Sequence, residues 1–297
     1  MDALDDFPAH SARSRTHAEI TQTSSTLELS NFSAKSRQCI ERLLAHEADT
    51  IDIANIPYKK RAAVLILLYE KEGDLRVLLT TRSKTLRAHP GQTALPGGKV
   101  DDTDKDVIET AYREANEEVG LPMYSSDVHK LCILRPFVSA SKLLVTPVVA
   151  LLTNLDHLDR LTPSEGEVDV IFDHPLEAIL DPPLSAKEKL VEIGSSDWPA
   201  EQEFYNFTDY DIQWLGNTAY RMHRLRSSAS AIKGLTAEIL IATAVVAYDR
   251  QPSYSRFAPG QLTTIQDIIR SVDPATFADS QKLVISAEHT AQATITA

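Results

Sequence analysis

Three glutamates, Glu114, Glu117 and Glu118, stand at offsets 0, +3 and +4 in the string REANEEVGL, residues 113–121. On an α-helix these positions share one face, about a turn apart. Like charges at that spacing cost a helix a few tenths of a kcal/mol per pair, roughly. A hard divalent cation such as Mg2+ converts the repulsion into coordination, because carboxylate oxygens are its preferred ligands. The chemistry indicated is a metal site that acts on phosphates. Taken alone, an acidic helix face is most often solvated surface. The flanking residues argue for more. Pro96, Gly97 and Gly98 close a loop just upstream, and a glycine turn lets backbone carbonyls approach a cation unobstructed. Gly120 follows the last acid, where a helix C-terminus favours glycine.

The elements that must position these residues follow from hydrophobic period and punctuation. Residues 36–47 carry Cys39, Ile40, Leu43 and Leu44 at helical spacing, an amphipathic helix. Residues 62–69 and 75–81 are apolar runs around a turn with Gly73, a hairpin. A long loop spans 83–98, and long ordered loops are often functional. The acidic helix is expected over 105–119 with Asp104 as its N-cap. Strands are expected over 128–137, 143–152 and 167–173, followed by a short helix starting at HPLEAIL with Pro175 in its first turn. Residues 182–215 read as a loop insertion, with strands near 202–207 and 217–223. Residues 235–249 are apolar on more than one face, a buried helix, and Ile265, Ile268 and Ile269 mark a short last helix. Strands and helices in this order fit a mixed sheet between helix layers. The domain is expected over 36–272, after a disordered segment at 1–35 rich in Ser, Thr and Ala and before a mobile tail at 273–297.

Composition narrows the partners. A net charge of −12 over 297 residues argues against a nucleic-acid surface. It does not oppose a small phosphorylated substrate, since metal ions and a local basic patch offset the field. Cys39 and Cys132 have no useful spacing, so ordinary thiols in a reducing compartment are expected rather than a disulfide framework or a zinc site. No run reaches the roughly 18 apolar residues that span a bilayer, and no membrane partner is expected. Arg13 and Arg15 hint at a mitochondrial presequence, but Asp2, Asp5 and Asp6 oppose it. The chain ends in ITA, not a peroxisomal SKL-type tripeptide. The cytoplasm is the expected location, with mitochondria second. Self-association as a homodimer stays open.

Residues 98–121 resemble the Nudix box, G-x5-E-x7-R-E-U-x-E-E-x-G-U with U aliphatic. Gly98 opens it, Arg113 and Glu114 fill RE, Ala115 takes the aliphatic slot, Glu117 and Glu118 fill EE, and Gly120 and Leu121 close it. The early acid slot holds Asp104, with eight residues before Arg113 instead of seven. The upstream run LLTTRSKTLRAHPGQTALPGG, residues 78–98, resembles the signature of the coenzyme A diphosphatase branch, where the extra residue is also typical. RPFVSASKLLVTPVVALL, EVDVIFDHPLEAIL and GLTAEIL are similar to later blocks of that branch. Leu95 and Lys233 depart from it, standing where Phe and Trp are common. The resemblance covers about residues 58–250 and implies a Nudix-type α/β/α sandwich.

For the site, the resemblance implies Glu114, Glu117, Glu118 and the Gly98 carbonyl as ligands of Mg2+ or Mn2+. Glu114 and Glu167 are both candidates for the general base. Arg113 is expected to orient its neighbours through a carboxylate pair, its partner being one of Asp101, Asp104 and Asp106; a surface pair with Glu109 is the alternative. Arg82 and Arg87 are candidates for gripping the 3′-phosphate or diphosphate of a coenzyme A substrate, and His89 and Lys99 for further phosphate contacts. The activity implied is hydrolysis of the diphosphate bond of coenzyme A or acyl-CoA, giving a phosphopantetheine and adenosine 3′,5′-bisphosphate. The alternatives are a sanitising diphosphatase for oxidised nucleoside triphosphates and a catalytically inactive Nudix-fold binding module. An inactive member is expected to have lost box glutamates, and all three stand here.

Overall fold

The strand β1, Arg61–Lys71, reads RAAVLILLYEK and is apolar almost throughout because both of its faces are covered. Side chains alternate along a strand. Ala62, Ile66 and Leu68 join one core cluster, whereas Ala63, Leu65, Leu67 and Tyr69 join another on the opposite face. The computed structural model that shows this describes residues 27–47 and 56–272.

Around β1 a mixed sheet of eight strands assembles. β1 pairs antiparallel with β2 (Asp74–Arg82) and β4 (Gly97–Lys99), and parallel with β7 (Leu144–Leu152). β3 (Thr93–Ala94) and β8 (Val168–Pro175) add to β2, and β5 (Val128–Ile133) and β6 (Phe137–Val138) to β7. On one face lies α2 (Val107–Val119), which packs Ile108, Ala111, Tyr112, Ala115 and Val119 against the sheet. On the other lie α1 (Ala34–Leu44) and α3 (Gly234–Tyr248). This is an α/β/α sandwich. A smaller antiparallel sheet of β9 (Tyr205–Ile212), β10 (Thr218–Leu225) and β11 (Ile232–Lys233) leads into α3, and α4 (Ile265–Ser271) closes the described chain. No helix among the described residues is long and apolar enough to cross a membrane.

Several expectations are corrected. Residues 27–35 are not a loose leader: Leu27, Leu29 and Phe32 pack on the core, and Ser33 caps α1 by accepting from the Ser36 N–H. The expected loop 83–98 contains the short strands β3 and β4, because Thr93–Ala94 and Gly97–Lys99 find partners on β2 and β1. The segment 128–137 is broken into β5 and the start of β6. HPLEAIL continues β8 through Pro175 before a short 3-10 turn, Leu176–Ile179. The insertion 182–215 is more ordered than a loop: it holds a 3-10 turn, Pro182–Lys187, and all of β9. The expected segments 1–26 and 273–297 lie outside the described residues.

Candidate active site

The N-cap of α2 is Asp106, not Asp104: its Oδ1 accepts from the N–H groups of Ile108 and Glu109, each at 2.9 Å. Asp104 is thereby left for a different partner. Arg113 grips it with a two-pronged pair, Nε to Oδ1 and Nη2 to Oδ2, both 2.9 Å. The Asp101 N–H and the Thr110 hydroxyl also donate to Oδ2. Burial alone would raise the Asp104 pKa, but the Arg113 guanidinium and these two donors outweigh it and hold the carboxyl below its ordinary value. Glu109 accepts instead from the Lys105 N–H and the Tyr124 hydroxyl.

The clamped guanidinium then reaches the acids. Its Nη1 donates to Glu114 Oε1 and to Glu117 Oε2, both at 3.0 Å, and Nη2 donates to the Lys99 carbonyl at 3.2 Å. Glu118 points at the glycine turn, its Oε2 accepting from the Gly97 N–H at 3.1 Å, with Arg82 Nη1 3.9 Å from Oε1. Burial pushes the Glu118 carboxyl up to about 7. Burial also raises Glu114. Gly97 is sterically required, whereas a side chain on Gly98 would meet only the carboxylate end of Glu114. A Cβ on Gly97 would run into the Ala63 carbonyl and lie 2.7 Å from Val64 Cα.

Hard oxygen donors on one helix face beside a side-chain-free turn suit a divalent cation. Two carboxylates that burial leaves reluctant to ionise are stabilised by such a charge. Glu114 and Glu118 face the turn directly. The Glu117 side chain is 54% exposed and drawn outward by Arg113, so the expected convergence of all three acids is only partly met. Among the described residues no three acidic, His or Cys side chains are gathered closely enough to hold a metal as they stand; three like charges one turn apart repel, and Arg113 offers Glu117 an alternative.

A cavity of about 670 Å³ opens beside the turn, lined by Gly97, Gly98, Lys99, Arg82 and His89. Arg87 is not among its lining residues. The loop closes tightly at its base, with Gly91 N–H donating to the Arg82 carbonyl and Leu86 N–H to Ser83, which leaves Arg87 exposed at the tip. Glu167 is exposed at the head of β8, and its carbonyl accepts from the Ser83 N–H at 2.8 Å. It stands close enough to Glu118 for its charge to help raise that carboxyl, as the smallest of the contributions. The far wall comes from Tyr210, Trp214, Tyr220 and Met222, with Arg135 and Glu238 also lining the cavity. Arg135 and Glu238 fall in the RPFVSASK and GLTAEIL blocks, whereas Tyr210, Trp214, Tyr220 and Met222 carry no motif signal. They meet only because β9, β10 and α3 fold back over the main sheet.

An acid-bearing helix set against a glycine turn, within a mixed sheet sandwiched by helices, defines a class of phosphate-processing hydrolase. The model of the NUDIX domain matches residues 59–207, half of the chain, and the chain belongs to the Nudix family. It is 40% identical over 201 residues to Nudix hydrolase 15, mitochondrial, of Arabidopsis thaliana, which covers 67% of this chain and 63% of that one. It is also 40% identical over 201 residues to Nudix hydrolase 22, chloroplastic, of the same plant, covering 59% of it. The chain thus spans about three-fifths of the length of these two relatives. It is 30% identical over 192 residues to the peroxisomal coenzyme A diphosphatase NUDT7 of Mus musculus, covering 65% of this chain and 72% of that one.

Proposed function

We propose that the protein hydrolyses the diphosphate bond of coenzyme A or an acyl-CoA, releasing a phosphopantetheine derivative and adenosine 3′,5′-bisphosphate. The observation that carries the reading is the Asp104–Arg113–Glu114 chain, which aims a half-buried carboxylate at Gly98 beside a cavity large enough for a nucleotide-linked substrate. The likeness to a mouse coenzyme A diphosphatase supports this substrate over other anhydrides.

Glu114, Glu117, Glu118 and the Gly98 carbonyl are the groups that would hold Mg2+ or Mn2+. A bound ion of this kind neutralises diphosphate charge and lowers the pKa of a coordinated water. Arg113 keeps Glu114 oriented and does not touch substrate. Arg82 and Lys99 line the cavity at the turn and suit the diphosphate, and His89 contacts the substrate from the loop. We assign the general base to Glu167. Glu114 is committed to Arg113 and the turn, whereas Glu167 is exposed, near Glu118, and able to pass a proton to solvent.

The test is a substrate panel with Mg2+ or Mn2+, read by mass spectrometry of products: coenzyme A, its acyl and oxidised forms, and 8-oxo-dGTP. Release of adenosine 3′,5′-bisphosphate supports the reading. Turnover of 8-oxo-dGTP alone would move the protein to the sanitising diphosphatases, and no turnover of any of them would remove the proposal.

A further inference from the structure

A second cavity, about 710 Å³, adjoins the first, and Gln92 and Lys233 line both. The Gln92 carbonyl accepts from the Arg82 N–H at 3.0 Å, and the Arg82 side chain stands beside Glu118. The second cavity therefore borders the first, whose wall the Gly97–Gly98 turn and Arg82 form. Its charged lining residues are Lys84, Arg224 and Lys233, against one carboxylate, Asp197. Arg224 and Lys233 are direct partners across the antiparallel β10–β11 pair. Like charges directly opposite each other destabilise a sheet. Neutral groups hold the Arg224 guanidinium: Nη1 donates to Thr208 Oγ1 at 2.9 Å and Asn206 Oδ1 at 3.4 Å, and Nη2 to the Tyr210 hydroxyl at 3.0 Å. Lys233 is the N-cap of α3, and its side chain makes no capping bond. The fold has thus placed two cations face to face in a pocket, with a third, Lys84, on the opposing loop.

We propose that this cavity is an anion subsite for the 3′-phosphate monoester of a coenzyme A-type substrate, with Lys84, Arg224 and Lys233 as its cations; the assignment of that ligand rests on the diphosphatase reading above. A phosphomonoester carries close to two negative charges and three acceptor oxygens. It answers both the fork of an arginine and the point charges of two lysines, and it relieves the repulsion between Arg224 and Lys233. The subsite lies away from the acids, so its contribution is to affinity and selectivity and shows in KM.

The experiment uses the full chain with coenzyme A and 3′-dephospho-coenzyme A as substrates. The wild-type KM for coenzyme A is expected about tenfold below that for the dephospho form. Lys233→Met and Lys84→Met should remove most of that difference by raising KM for coenzyme A, leaving kcat and the dephospho KM within about twofold. Calorimetric binding of adenosine 3′,5′-bisphosphate against AMP should show the same preference without turnover. Equal wild-type KM values, or equal effects of the variants on both substrates, overturn the subsite and leave the diphosphatase reading intact. If neither coenzyme is cleaved while the bisphosphate still outbinds AMP in a Lys233-dependent way, the diphosphatase reading falls and the anion subsite stands. Inorganic phosphate binding as tightly as the bisphosphate overturns the nucleotide assignment.

Discussion

The Glu114 carboxylate occupies the space that a side chain on Gly98 would need: an added Cβ would lie 2.5 Å from Cδ and from both carboxylate oxygens. The glycine and the acid are therefore one steric unit. Gly98→Ala is expected to swing Glu114 off the turn and cut kcat/KM by about a hundredfold or more, because displacements near 1 Å carry penalties of that order. Steady-state kinetics check this, and circular dichroism confirms the fold. An alanine variant within threefold of wild type would show that Glu114 has no fixed role at the turn.

Asp104 acts at one remove. Asp104→Asn keeps the shape but takes the charge from beneath Arg113, whose guanidinium orients Glu114 and Glu117. Second partners of metal-site ligands typically matter by 10–100-fold, and a loss near the lower end, about tenfold in kcat/KM, is expected. Stability should fall by about 2 kcal/mol, since the Asp104 side chain is only 2% exposed. Urea denaturation measures the second effect. Asp101→Asn, at a residue that does not hold Arg113, is the control.

Glu117 and Glu118 should separate in a paired experiment. Glu118 is buried against the Gly97 N–H, and Glu117 is exposed. Both Gln variants are expected to weaken Mn2+ binding and turnover by at least about tenfold. Only Glu118→Gln removes a charge that burial disfavours, so in chelator it should melt about 2–4 °C higher than wild type. Calorimetry with and without chelator reads both. An unchanged Mn2+ affinity in either variant excludes that residue as a ligand.

Acid stability should follow two histidines far from the chemistry. Burial pushes His174 and His223 each down to about 4. In the unfolded chain a histidine titrates near 6.5, so between these values the unfolded state binds more protons. Stability is then fully present above about 6.5 and lost as pH falls toward 4, by up to about 1.4 kcal/mol per unit for each residue. His223 Nε2 bonds the Arg256 carbonyl and Nδ1 the Tyr205 hydroxyl, contacts that fit the neutral ring. Urea midpoints that stay flat from pH 6.5 to 5 would contradict this account.

Arg87 provides a negative control. It lines neither cavity and stands exposed on its loop. Arg87→Ala should change KM for coenzyme A by less than about twofold, whereas Arg82→Ala, which removes a cavity-wall cation beside Glu118, should raise it about tenfold or more. A large effect at Arg87 would require the loop to close over the substrate.

What the chain determines locally was legible in its residues. The acid spacing, the glycine turn, the two-sided apolar run of β1 and the hairpin to β2 are consequences of backbone period and glycine sterics, which act over a few residues. The family followed from that short stretch. The choice among Asp101, Asp104 and Asp106 did not, because all three lie within reach of Arg113 along the chain; folding decided it by spending Asp106 on the cap of α2 and burying Asp104 beneath the guanidinium. The assembly of the cavity walls was likewise not legible. Gln92, Arg135 and Glu238 lie in separate blocks of the family resemblance and Lys233 beside the last of them, but nothing in those blocks says that they share a wall with Tyr210, Trp214, Tyr220 and Met222. Only the packing of β9, β10 and α3 against the main sheet brings them to one space, since pocket shape and charge arise from contacts between elements distant along the chain.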